Sequence, residues 1–139
     1  MNNTQKEKIF ILAKYVDIIQ SLVADSNNIS ILKLIVFSFI LKNYNYSHSI
    51  FSSQTRKSLT SLVISLMKND KNAFFTDVED ILDCLVLLEQ NDLLKVNEGV
   101  VINKKCSVKI GNNSLFKMVI NCSKMDSDKF VLREVLNYV

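Results

Sequence analysis

The chain has 139 residues, a length suited to one domain that buries roughly two-thirds of the surface its unfolded form would expose. Hydrophobic residues make up 48% and charged ones 22%, with no proline and only Gly99 and Gly111 as glycines. Helices therefore meet few breakers, a turn-rich all-β sandwich is disfavoured, and the net charge of +3 does not by itself mark a nucleic-acid binder.

Residues 5–24 read as a first helix, with Ile9, Leu12, Val16, Ile19 and Val23 at three- and four-residue spacings. Ile11, Ile18 and Leu22 add a second stripe. Ser30 is placed to cap a second helix over 31–43, whose apolar residues (Ile31 to Leu41, interrupted by Lys33 and Ser38) cover almost every face. Such a helix belongs at the centre of a core or under a partner. The segment 42–53, "KNYNYSHSIFSS", reads as a loop. Ser53 can cap a third helix over 54–68, with Leu59, Leu62, Val63, Leu66 and Met67 inward and Arg56, Lys57 and Lys68 outward.

"KNDKN" then breaks the pattern, and Thr76 followed by Glu79 matches a capping box that would open the next helix. Its expected core stripe is Val78, Ile81, Leu82, Leu85 and Leu88. A short hairpin follows: Leu94 and Val96 face one way, "NEG" turns the chain with Gly99 in the left-handed position, and Val100–Ile102 return. "CSVKI", 106–110, alternates cleanly and predicts a third strand. Residues 115–125 fit a helix through Leu115, Met118, Val119, Cys122 and Met125, or a strand through Phe116, Met118, Ile120 and Cys122; helix is preferred. Ser127 begins a terminal helix, "DKFVLREVLNYV". The expectation is a mainly α single domain over 1–139: helical over 1–69, a winged-helix-like helix plus β-hairpin in 70–110, and a helical end at 114–139.

Signals for chemistry are sparse. No G-x-x-x-x-G-K, G-x-G-x-x-G or H-E-x-x-H occurs. His48 is the only histidine and sits in a serine-rich loop, so a histidine-based dyad or a Cys/His zinc site has little to build on. Cys84, Cys106 and Cys122 are widely spaced and read as reduced core thiols. No catalytic, cofactor-binding or metal-ligating residue is expected, and no cofactor. The N-terminus offers only Ile9–Ala13 as an apolar run before Lys14, and the longest apolar tract, 29–41, is too short to span a bilayer. A cytoplasmic protein without membrane contact is the expectation.

Charge is unevenly spread. Residues 1–69 carry +5, residues 70–99 carry −6 and residues 100–139 carry +4. Asp77, Glu79, Asp80, Asp83, Glu89 and Asp92 fall in the winged-helix-like segment with no lysine or arginine among them. A recognition helix lies against a polyanion and needs bases, so these acids oppose major-groove insertion. As a metal site they lack a second ligand cluster. They suit a solvated or partner-facing face, and Asp80 and Asp83 are the candidate docking acids. Val86 and Leu87 lie beside them: either a protein contact rimmed by charge or part of a broad core-facing arc. Phe130, Leu132 and Tyr138 on the terminal helix pose the same choice between a docking side and deep packing. Lys104, Lys105 and Lys109, with Lys117 and Lys124 beyond, form either a non-specific phosphate contact or a scattered solvated face.

"FFTDVEDILDCLVLLEQNDLLKVNEGVVI", preceded by an apolar helical half and closed by "DKFVLREVLNYV", resembles in arrangement over 30–139 the middle components of three-component ABC-ATPase systems. Those small proteins are encoded with an SMC/Rad50-like ATPase and an effector, as in Lamassu-type anti-phage and anti-plasmid defence. The resemblance implies a non-enzymatic, winged-helix-like adaptor whose partners are the ATPase heads and a nuclease-like effector subunit, with DNA touched at most indirectly or non-specifically. It rests on hydrophobic patterning and carries no site residue across. The alternative is a winged-helix transcription regulator reading DNA through the basic 54–68 segment or its wing; a small enzyme ranks third.

Overall fold

The computed structural model describes residues 3–44, 59–67, 71–111 and 114–137. The fold is mainly helical with a β-hairpin in its second half: α1 (Asn3–Ser26), β1 (Asn28–Ser30), α2 (Ile31–Asn43), α3 (Leu59–Ser65), α4 (Lys71–Gln90), β2 (Leu94–Asn97), β3 (Val100–Asn103), α5 (Ser114–Met125) and α6 (Asp128–Leu136). Most of the loop expected at 42–53, the Ser53 cap, His48, Arg56, Lys57, Lys68 and Tyr138 lie outside the described residues.

α2 is the hub, packing against α1, α3, α4, α5, α6 and β1. That answers its all-round apolar composition: Leu34, Val36, Phe37, Phe39 and Ile40 are wholly buried within this chain's own core. Ser30 caps it as the sequence predicts, its Oγ accepting from the Lys33 N–H at 3.2 Å. The same Oγ donates to Asp128 Oδ1 at 2.8 Å, and Lys33 Nζ donates to the Ser123 carbonyl at 2.7 Å. The start of α2 is thereby tied to the α5–α6 junction. Ser127 caps α6 in the same manner, accepting from the Phe130 N–H.

α1 is buried only in its second half, at Tyr15, Ile18, Ile19, Leu22 and Val23; Ile9 and Phe10 are exposed. It ends on Asn27, whose positive φ of 63° is a left-handed stop that asparagine tolerates. Directly after comes β1, a strand absent from the sequence-based expectation. It pairs antiparallel with β3, so the sheet order is β1-β3-β2. The hairpin pairs Asn97 with Val100 and is closed by Glu98 and Gly99 with φ of 52° and 78°, so Gly99 takes the expected left-handed position while Asn97 belongs to the strand. Two successive positive φ values are the twist-matching two-residue hairpin turn.

Three local expectations are corrected. The helix before the wing does not start at Thr76; it starts at Lys71, and the Thr76 hydroxyl donates to the Asn72 carbonyl one turn back. Nothing in "KNAFF" forbids helix, and burial of Phe74 extends it. Leu82 is exposed, because the stripe that meets the core runs through Phe74, Asp77, Ile81, Cys84, Leu85 and Leu88. Residues 106–110 form no strand. Both edges of β3 are already taken by β1 and β2, and the N–H groups of Lys109 and Ile110 donate instead to Ser21 Oγ on α1. Residues 114–125 are helical, as preferred over the strand.

Candidate partner interface

α4 presents two unlike sides. Inward, Asp77 is 8% exposed and accepts from the Tyr15 hydroxyl at 2.7 Å and from Lys42 Nζ at 3.2 Å. The Lys42 ammonium also sits 5.2 Å from the Tyr15 ring centre, a cation–π geometry. One carboxylate thus locks α1, α2 and α4 together. Burial, then the bond to Asp77 and its negative charge, push the Tyr15 hydroxyl far above the usual tyrosine range.

Outward, the six acids of 77–92 divide by what already occupies them. Asp77 is spent in the core. Asp80 has a largely covered side chain, with Lys8 Nζ of α1 3.7 Å away. Burial holds its carboxyl above the usual range; Lys8 opposes that, while Asp77, Asp83 and Glu79 reinforce it. Glu89 accepts from the Val96 N–H of the wing at 2.7 Å, and Asp92 lies 3.7 Å from Lys104. Glu79 and Asp83 keep exposed carboxylates, Asp83 with only a 3.9 Å approach from Lys8.

Beside them runs an apolar line. Phe75, Leu82 and Val86 are 59%, 41% and 55% exposed, and their spacing of seven and four residues aligns them along one side of the helix. Leu87, 48% exposed, lies on the Asp80–Asp83 flank. The expected stripe counts Leu82 inward and the expected start leaves Phe75 outside the helix; the earlier start and the stripe through Phe74, Ile81, Cys84, Leu85 and Leu88 bring the outward line into view. On α6, Val131 and Val135 are buried, Phe130 is half-buried, and Leu132 and Leu136 are exposed one turn apart. Leu132 therefore belongs to an outward pair, while Phe130 is divided between packing and solvent.

Lys104, Lys105 and Lys109 are exposed on the segment after the wing. Its backbone is held, with the N–H groups of Lys104 and Lys105 both donating to the Leu93 carbonyl. The three cysteines are free and buried. Burial pushes the Cys84 thiol up to about 12, with Asp80 and Asp83 adding to it, and raises Cys106 and Cys122 too. Such thiols stay protonated and unreactive at neutral pH. Among the described residues, no group of three or more His, Cys, Asp or Glu is placed to hold a metal ion, and no helix is long and apolar enough to cross a membrane.

No protein-family model, no curated protein and no solved structure matches this chain.

Proposed function

We propose that this chain is a cytoplasmic, non-catalytic adaptor subunit of an anti-phage or anti-plasmid defence complex, docking on an SMC/Rad50-like ATPase and linking its heads to a nuclease-like effector. The observation that carries the reading is the outer side of α4, where Phe75, Leu82 and Val86 stand exposed beside Glu79 and Asp83. Contiguous apolar side chains edged by carboxylates suit a basic protein surface and are unsuited to a DNA groove. Leu132 and Leu136 on α6 offer a second apolar contact, as an adaptor with two partners needs.

The test is co-expression with the SMC/Rad50-like ATPase expected beside it in the genome. A stoichiometric complex in size exclusion, lost in Val86→Asp/Leu87→Asp, is the expected result. An ATPase that elutes alone overturns the reading. The exposed Lys104, Lys105 and Lys109 favour a second reading, a winged-helix DNA regulator. It predicts tight, sequence-selective, salt-sensitive duplex binding by this chain alone, lost when these lysines are reversed.

A further inference from the structure

A groove of about 520 Å³ lies between the segment after the wing and α5. Val108, Ile110, Phe116 and Ile120 supply its apolar surface, and Lys117 and Lys124 stand on its rim with Asp25 at the end of α1. The two lysines are seven residues apart on α5, hence on one side of the helix, and make no ion pair among the described residues. Val108 is 49% exposed, so the apolar surface is open to an incoming side chain.

The opposite pattern stands on α4 of the same chain: Leu82 and Val86 one turn apart, with Glu79 and Asp83 one turn apart beside them. We propose that the basic-rimmed groove of one copy receives the acidic, apolar side of α4 from a second copy. Leu82 and Val86 enter against Val108, Ile110 and Ile120, while Glu79 and Asp83 meet Lys117 and Lys124. The lysine pair spans about 10 Å along its helix and the acid pair about 6 Å; flexible lysine stems take up the difference. Groove and helix are distinct surfaces: two copies that exchange them reciprocally close as a two-fold dimer, and copies that do not exchange them extend as a ring or chain. Self-association occupies the same side of α4 as the ATPase partner, and the two are mutually exclusive.

The test uses the intact chain: size exclusion with light scattering across a concentration series at low and high salt. The wild-type chain is expected to form dimers or larger species at low salt and to dissociate at high salt. Lys117→Glu/Lys124→Glu gives an acidic groove facing an acidic helix, and Glu79→Lys/Asp83→Lys gives the converse. Each is expected to weaken association at least about tenfold. Mixing the two variants restores complementary charge where a groove of one meets a helix of the other, and is expected to restore association, which misfolded variants would not do. A wild-type chain that stays monomeric throughout, variants that associate unchanged, or a mixture that stays monomeric each overturns the proposal. The groove variant leaves α4 untouched, so its co-elution with the ATPase separates failure here from failure of the adaptor reading.

Discussion

Asp77 and Asp83 sit on one helix, less than two turns apart, and live under opposite physics. Asp77 is enclosed by a tyrosine hydroxyl and a lysine ammonium from two other helices. Asp83 has half its side chain in water and a distant lysine for company. The same residue type is a fastener on one side and an advertisement on the other. Acid counting along a sequence therefore measures charge but not its availability.

The contrast can be broken most forcefully at Asp77. Replacing it with alanine removes the acceptor of the Tyr15 hydroxyl and the counter-charge of the Lys42 ammonium, and should cost about 3 kcal/mol in chemical denaturation. Next comes pH. The folded Tyr15 keeps its proton where an unfolded tyrosine loses it near its ordinary value of 10.0, and the folded Cys84 keeps its own from 9.0 up to about 12. Both folded values are raised, so their stabilisation is whole below these unfolded values and is lost as pH climbs past them. Unfolding free energy should fall from about pH 9 upward. Tyr15→Phe should cost about 1 kcal/mol at neutral pH and flatten that decline. A decline of unchanged steepness would show that the hydroxyl is not the titrating group.

Smaller effects sharpen the comparison. Ser30→Ala removes a true cap and should cost about 1 kcal/mol, while Thr76→Ala, inside α4, should stay within about 0.5 kcal/mol. Smallest of all, Asp83→Lys should leave the melting curve unchanged within about 0.5 kcal/mol while weakening the proposed docking, read by titration calorimetry against the proposed ATPase partner.

Much of the architecture is legible because its signals are local. Ser30 and Ser127 announce helices within three residues, and "NEG" between alternating apolar residues announces the wing. What stays illegible depends on contacts distant in sequence. Thr76 and Glu79 match a capping box, yet the signal cannot say whether a preceding turn of helix has somewhere to pack; Phe74 finds the Phe39 ring, 5.3 Å between centroids. "CSVKI" alternates like a strand, but the place beside β3 belongs to three residues from the first quarter of the chain. Of the expected docking residues, Asp83, Val86, Leu87 and Leu132 are outward, whereas Asp80 is largely covered and Phe130 half-buried. Covering of Asp80 involves Lys8, and no spacing rule links the two.

The β1–β3 pairing has a kinetic consequence. The hairpin of β2 and β3 can close within a few residues, but Asn28 meets Ile102 only after the chain has looped back over more than half of its length. Loop-closure entropy delays that step, and contacts of this kind slow folding as a whole. The wing should thus form early as a two-stranded ribbon and acquire its third strand only when α1, α2 and α4 have assembled. In hydrogen exchange, the amides joining β1 to β3 should open with the whole molecule, making a three-residue strand a reporter of global unfolding.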